Sequence, residues 1–227
     1  MLNVICVWAP PGNEMEGWFT VDYVEKLYNS LKRNLDVEFK FHVLTDKGEE
    51  LQGEQYNIVP LSGENDMYWN KIEAFNRENF TGPCLYIDLD VVICKNITNV
   101  VNRLLETKGR FFMLHQPMDG YANSSIMYWD DDFGHIYENF MSDIARNVYM
   151  FRRRGIGNMG DQGYIASMVD FEYLNNDEFA SVGWVYKGGK RVGESPHHFL
   201  TFMSRDQKPH KMLEDPTVGE LIKTHWI

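Results

Sequence analysis

An uninterrupted apolar run, Cys84-Leu85-Tyr86-Ile87, limits the folds open to this 227-residue chain more than any other feature. Its length suits a strand, and the absence of alternating polar residues is typical of a central strand that is buried on both faces. A second strand-length run, residues 2–8, is almost as apolar. The chain is therefore predicted to form a sheet that other elements cover on both sides.

Helical and strand-like segments alternate along the first two thirds of the chain, which predicts an α/β layer sandwich. Residues 20–34 place apolar side chains at helical spacing, with Thr20 as the N-cap. No repeat or linker-like stretch divides the chain, so we expect one domain. Further helices are predicted at 70–79, 100–105, 133–144 and after Gly160-Asp161-Gln162, and further strands at 37–44, 56–60, 111–114, 124–129, 184–187 and 198–203.

Charge and cysteine usage exclude several classes of protein. The formal net charge of −11 disfavours binding to nucleic acid or to an anionic membrane surface, so a phosphate-bearing ligand would need a divalent cation. No apolar run approaches the ~18 residues of a membrane span, and the N-terminus lacks the basic region of a signal peptide. The three cysteines lie in apolar runs, which predicts buried thiols, no disulfides and a cytoplasmic protein.

Two carboxylates, Asp88 and Asp90, directly follow the apolar run at 84–87. On extended backbone both would project to one face and Leu89 to the other. Neighbouring carboxylates repel each other unless a cation lies between them, and hard oxygen ligands favour Mg²⁺ or Mn²⁺. The sequence therefore predicts a metal site here, with a solvated strand end or a pair of capping residues as the alternative.

An ordered series of short motifs carries a resemblance to a known family. The sequence is similar to glycosyltransferases of the GT-A fold, of the glycogenin and lipopolysaccharide-galactosyltransferase type. This resemblance implies an α/β, Rossmann-like three-layer sandwich with a central mixed, mostly parallel sheet. It also implies one domain over 1–227, with a nucleotide-binding part at about 1–95 and a sugar and acceptor part at about 96–227. The motifs are Tyr23-Val24, Leu44-Thr45-Asp46, Trp69-Asn70-Lys71, Asp88-Leu89-Asp90, Asn123-Ser124-Ser125-Ile126-Met127, Gly160-Asp161-Gln162, Lys208-Pro209-His210 and Trp226.

The resemblance implies a metal-dependent transferase. It would move a hexose from a nucleotide-diphosphate sugar, with UDP as the expected nucleotide, to a saccharide or other hydroxyl acceptor, and would retain the anomeric configuration. Asp88 and Asp90 would hold Mn²⁺ or Mg²⁺ against the two phosphates, with Asp90 as the direct ligand. An ion there stabilises the negative charge that builds on the departing diphosphate.

The same resemblance assigns the other site residues, and each has a plainer alternative. Asp161, Gln162 and Asn123 are the catalytic candidates: Asp161 is a general base if the reaction inverts, or positions the sugar together with Gln162 if it retains. The alternatives are an N-cap for Asp161, a turn cluster for 123–125 and an exposed helix lysine for Lys71. The donor-binding candidates are Val7, Trp8, Ala9, Asp46, Lys71, Asp88, Ser124, Ser125 and Lys208.

The chain departs from the family pattern near Lys208-Pro209, where the histidine that would be the third metal ligand is missing. Ser204, Asp206, a water or His210 are the candidates to replace it, and His197 and His198 are further ones. Arg152-Arg153-Arg154 would bind an anionic acceptor or the donor phosphates, or form an ordinary solvated helix end. Two rivals remain: a haloacid-dehalogenase-type phosphatase, whose nucleophile strand also carries D-x-D, and a non-catalytic nucleotide-sugar-binding module.

Overall fold

A computed structural model describes residues 1–9, 19–63, 65, 67–116, 120–152, 160–181, 197–202 and 207–227. Within these residues seven strands form one sheet in the order β3-β2-β1-β4-β7-β6-β8. The strands are β1 (Leu2–Val7), β2 (Phe39–Leu44), β3 (Tyr56–Val59), β4 (Cys84–Ile87), β6 (Phe111–Gln116), β7 (Tyr121–Trp129) and β8 (Glu172–Tyr173).

The sheet is mixed and mostly parallel. Strands β3, β2, β1 and β4 run parallel, β7 is antiparallel to both of its neighbours β4 and β6, and β8 is parallel to β6. Every residue of β4 is buried, as its unbroken apolar sequence predicts. The expected α/β fold with a mostly parallel central sheet is therefore confirmed.

Helices cover both faces of the sheet because alternate residues of its strands point to opposite sides. One face packs against α1 (Val21–Asn34) and α2 (Thr98–Leu105). The other face packs against α3 (His135–Ser142), α4 (Ile144–Arg152), α5 (Gly160–Met168) and a 3₁₀ helix, Met67–Phe75.

A smaller sheet packs on the same side of the large sheet as α1 and α2. In the described residues it comprises β5 (Val92–Ile93), β10 (Phe199–Thr201) and β9 (Phe179–Ser181), in that order. Helix α6 (Gly219–His225) and two short 3₁₀ helices, Gly48–Glu50 and Pro209–Lys211, complete the described elements. This arrangement brings the segment around Lys208 towards the end of β4.

Several boundaries differ from the sequence prediction. The helix expected over 133–144 is two helices, since Asp143 leaves helical geometry and its Oδ1 accepts the amide N–H of Arg146 at the start of α4. The segment expected as a helix over 70–79 is the 3₁₀ helix, and its buried Trp69, Ile72 and Phe75 recur at the three-residue period of that geometry. Thr20 precedes α1 as expected but makes no side-chain cap.

Other expectations are confirmed, or concern residues outside the described part of the chain. Cys6, Cys84 and Cys94 are buried and form no disulfide, as predicted. Among the described residues, no helix is both long and apolar enough to cross a membrane. The strand expected over 184–187, and Arg153 and Arg154, lie outside the described residues.

Candidate functional site

The backbone turns immediately after β4, at Asp88. The amide N–H of Val91 donates to the Asp88 carbonyl at 3.1 Å, so residues 88–91 form a turn, not the predicted extension of the strand. Leu89 enters the core in this turn and is 4% exposed. The expected alternation of Asp88, Leu89 and Asp90 along a strand is therefore wrong, because burial of Leu89 bends the chain.

Asp90 is buried and forms an ion pair with Lys208, whose Nζ contacts Oδ2. Lys208 also donates to the Phe202 carbonyl at 3.4 Å. Burial raises the pKa of the Asp90 carboxyl above its usual value, the Lys208 ammonium opposes that shift, and the charge of Asp88 adds to it. An ammonium group thus compensates a carboxylate that has lost most of its water.

Lys71 is the centre of a second group of charges. Its ammonium lies 3.0 Å from Asp88 Oδ1, 3.2 Å from Asp161 Oδ2 and 2.9 Å from Ser124 Oγ. The Ser124 hydroxyl donates to Asp161 Oδ2 at 2.6 Å, and the Tyr86 hydroxyl donates to Asp88 Oδ1 at 2.8 Å. We call Lys71, Asp88, Ser124 and Asp161 the lysine cluster.

The electrostatics of the lysine cluster agree with this geometry. The Lys71 side chain is only 8% exposed, so the alternative of an exposed helix lysine is wrong. Burial lowers the pKa of Lys71, but the carboxylates of Asp161 and Asp88 more than offset this and keep it above its ordinary value. Burial also raises the pKa of Tyr86, and the neighbouring Asp88 carboxylate adds to that increase.

Sheet pairing and helix placement bring the lysine cluster together. Ile87 of β4 pairs with Ile126 of β7, and the amide N–H of Asp88 donates to the Ser125 carbonyl at 2.8 Å. Ser124 therefore lies beside the end of β4. Helix α5 begins at Gly160, whose φ of +66° favours glycine, and Asp161 lies buried in its first turn.

The other predicted residues are divided between this edge and the core. Val7 ends β1 and Asp46 follows β2, so both lie at the carboxyl edge of the sheet. Ala9 lies just after the end of β1. The Trp8 indole, in contrast, is buried and donates to the Phe19 carbonyl at 2.9 Å. Asn123, Ser125 and Gln162 adjoin members of the lysine cluster in sequence, and Asn123 Oδ1 accepts the amide N–H of Ser125 at 2.8 Å.

Of the histidines proposed as a third metal ligand, His210 and His197 have other side-chain contacts. His210 Nδ1 lies 2.5 Å from the Tyr23 hydroxyl, and His197 Nδ1 lies 3.2 Å from the Asp177 carbonyl. The backbone of His198 bonds with Cys94 and Glu178, but its ring Nδ1 is buried and has no hydrogen-bond partner among the described residues. Ser204 and Asp206 lie outside the described residues. Within the described part of the chain, no three His, Cys, Asp or Glu side chains are grouped closely enough to hold a metal ion.

This donor set fits a cation that binds together with phosphate. Asp88 and Asp90 supply hard oxygen ligands from one turn, and Mg²⁺ is commonly held by one or two carboxylates plus substrate phosphates. Lys208 pairs with Asp90, so its ammonium has to leave that carboxylate before Asp90 can ligate an ion. The residues therefore suit a metal that arrives with a nucleotide better than a permanent metal centre.

Sequence reasoning missed two aromatic residues at this site. Tyr86 appeared only as part of an apolar strand, yet its hydroxyl is bonded to Asp88. Tyr68 lies against Gly160, where a β-carbon would be 3.0 Å from its ring. The adjacency of Tyr68 to Trp69-Asn70-Lys71 was a usable signal, whereas nothing local in the sequence marks the hydroxyl of Tyr86.

The sheet, its helices and this polar edge define the GT-A fold of glycosyltransferases. Two particular proteins of that fold are similar to this chain over nearly its whole length. An active-site mutant of LgtC has a TM-score of 0.64 and 11% identity over 98% of this chain and 94% of its own. Galactosyltransferase LgtC in complex with donor and acceptor sugar analogs has a TM-score of 0.63 and 11% identity, covering 99% and 96%.

The second similar protein is the glycosyltransferase GlyE of Streptococcus pneumoniae TIGR4, with a TM-score of 0.63 and 14% identity. The match covers all of this chain but only 60% of GlyE. No protein-family model and no curated protein matches the sequence. The likeness therefore establishes the fold, while the chemistry has to be argued from the residues of this chain.

Proposed function

We propose that this protein is a metal-dependent glycosyltransferase, with UDP-sugar as the expected donor and a saccharide or other hydroxyl compound as the acceptor. One observation carries the proposal: the buried lysine cluster adjoins the Asp88–Asp90 turn at the carboxyl edge of a GT-A sheet. In open α/β sheets, ligands bind outside that edge. The similarity to the glycosyltransferase GlyE and to LgtC in complex with donor and acceptor sugar analogs supports the same class.

Asp88 and Asp90 would hold Mn²⁺ or Mg²⁺ together with the donor diphosphate. When bound, the ion supplies Lewis-acid stabilisation of the charge on the departing diphosphate. Lys208 contributes a second positive charge, since its ammonium is already beside Asp90 and can exchange that carboxylate for a phosphate oxygen. Val7, Ala9 and Asp46 would contact the base and ribose, and Trp8 would support them from the core.

We propose a retaining reaction, in which Asp161 is a positioning group. Lys71 and Ser124 both contact Asp161 Oδ2, and together they hold its side chain in one orientation. Such a group orients the donor sugar and stabilises positive charge at the anomeric carbon. Gln162, Asn123 and Ser125 would add hydrogen bonds to sugar hydroxyls. The division into a nucleotide part at about 1–95 and a sugar part at about 96–227 remains part of this proposal.

A panel of UDP-, GDP-, CMP- and dTDP-sugars, each with and without Mn²⁺, tests the proposal by thermal shift. A donor at about 100 times its dissociation constant should stabilise the protein by about 2.7 kcal/mol. We expect stabilisation by UDP-sugars that depends on Mn²⁺, and slow release of UDP. Absence of a shift with every donor would contradict the proposal.

Asp90→Asn combined with Lys208→Met is the matched variant, because it removes both members of the ion pair and leaves neither charge uncompensated. It should fold as the wild type does but lose the Mn²⁺-dependent part of the shift. Retention of that part would exclude Asp90 as a ligand.

The non-catalytic alternative has one observation in its favour, the lack of a third grouped ligand in the described residues. Donor-specific stabilisation without any product, even at high protein concentration, would support it. The phosphatase alternative predicts release of phosphate from an aryl phosphate with Mg²⁺, which we do not expect. Buried thiols at Cys6, Cys84 and Cys94 support a cytoplasmic location as part of the proposal.

A further inference from the structure

An exposed aromatic ring, Tyr68, lies at the rim of the candidate site. Its ring is tilted by 40° on Trp69 with centroids 5.4 Å apart, and Trp69 in turn stacks on Phe140 at 5.1 Å. Tyr68 is 42% exposed, whereas Trp69 is 1% exposed. The exposed Tyr68 ring therefore packs on the buried Trp69, and Trp69 is itself held by Phe140.

Tyr68 is also fixed against the start of α5. A β-carbon at Gly160 would lie 3.0 Å from Cε2 and 3.5 Å from Cζ of the Tyr68 ring, so the ring rests directly on that backbone. The next residue is Asp161, a member of the lysine cluster. The ring is therefore one residue away from the carboxylate proposed to orient the donor sugar.

A series of successive contacts connects Lys208 to Tyr68. Lys208 pairs with Asp90, the turn joins Asp90 to Asp88, Lys71 links Asp88 to Asp161, and Gly160 before Asp161 carries the ring of Tyr68. Lys208 is at the end proposed for the diphosphate. Tyr68 is at the opposite end of this series of contacts, and its ring is open to solvent.

We propose that Tyr68 is a binding platform for the acceptor, and that the acceptor is a saccharide whose pyranose ring packs its apolar face against the phenol ring. An aromatic ring offers a large rigid apolar surface with a polar tip, which suits a ligand with one apolar face and hydroxyl edges. Within the described residues the Tyr68 hydroxyl has no hydrogen-bond partner, so it is available to a sugar hydroxyl. This inference rests on the proposed transferase function.

Steady-state transfer to a set of mono- and disaccharide acceptors, with the UDP-sugar and Mn²⁺ saturating, tests the platform. Tyr68→Leu should raise the acceptor KM about tenfold while changing kcat little, because a stacking contact is lost without disturbing the charges. Tyr68→Phe should keep most of the acceptor affinity. Tyr173→Leu is the matched control, since Tyr173 is 45% exposed on β8 at the far edge of the sheet.

Two further readouts separate this inference from the proposed function. Donor thermal shift and UDP release without acceptor should be the same in Tyr68→Leu and wild type. An unchanged acceptor KM in Tyr68→Leu, with donor binding intact, overturns the platform alone. Transfer to flat aromatic alcohols that depends on Tyr68, while transfer to saccharides does not, overturns the saccharide assignment. Failure of wild type to bind any donor overturns both proposals.

Discussion

The two ends of β4 carry similar charges in very different surroundings. At the carboxyl end, Lys71 and Asp161 are 8% and 10% exposed and share hydrogen bonds with Ser124. At the amino end, Arg77 pairs with Asp132 and Glu138 with all three side chains about half exposed. The exposed pairs border a cavity of about 310 Å³ that is lined in part by Phe75, Phe80, Trp129 and Phe133.

The two ends differ in the desolvation energy that their charged groups cost the fold. Burying an ammonium group and two carboxylates costs desolvation energy that an apolar replacement of both partners would avoid. Exposed ion pairs cost little and contribute little. A buried charged cluster at the ligand-binding edge of the sheet is therefore better explained by chemistry than by stability, and the two ends should respond very differently to mutation.

The largest effect is expected for Lys71→Met. This change leaves Asp88 and Asp161 close together without their shared ammonium, and should lower the free energy of unfolding by about 3–5 kcal/mol. Urea denaturation at pH 7 measures it. Lys71→Met with Asp161→Asn should recover part of the loss, because one of the two stranded carboxylates is removed. A single variant as stable as wild type would contradict this account.

An intermediate effect is expected from pH acting on His42, a buried residue whose ring contacts Phe80 beside the cavity. Asn57 lies 2.8 Å from Nδ1 and Asn3 lies 3.0 Å from Nε2, so both nitrogens have partners in the neutral ring. Burial, aided by the charge of Lys40, lowers the pKa of His42 to about 4 from its ordinary 6.5.

The sign of the effect follows from these pKa values. Between pH 6.5 and 4 the unfolded chain binds a proton that the folded chain does not, so stability falls as the pH falls through this window. The His42 contribution to that loss should reach at most about 3 kcal/mol near pH 4. Urea denaturation at several pH values measures it, and His42→Gln should have a shallower slope. Equal slopes would contradict the assignment to His42.

The smallest effect is expected for Arg77→Met at the amino end. Its two ion pairs are half exposed, so the free energy of unfolding should change by less than about 1 kcal/mol. Any difference from wild type should shrink in 1 M NaCl, where exposed charges are screened. A loss comparable to that of Lys71→Met would remove the contrast between the two ends.

Much of the fold could be predicted because local patterns dominate it. The apolar run at 84–87 is a fully buried strand, and the spacing of Val24, Leu27 and Leu31 forms the buried face of α1. The break at Asp143 was missed because the apolar period continues through it, while the side chain of that residue caps the next helix. Periodicity identifies the faces of helices better than it locates their ends.

The candidate site was predicted as residue types but not as a network. The sequence singled out Lys71, Asp88, Asp90, Asp161 and Lys208, yet it paired the two aspartates with each other through an ion. The fold also gives each aspartate its own lysine, Asp88 with Lys71 and Asp90 with Lys208. These partners are 17 and 118 residues apart, so the pairing depends on tertiary structure that short motifs do not encode.

The antiparallel pairing of β7 with β4 has a consequence for how the chain tolerates change. Ser124 reaches Lys71 only because Ile126 is opposite Ile87, and strand side chains alternate between faces. Deleting Ser125 would reverse the alternation between Ser124 and Ile126 and turn that hydroxyl towards the opposite helical layer. Loops elsewhere can change length during evolution, but the spacing from Ser124 to Ile126 has to be conserved for this contact to persist.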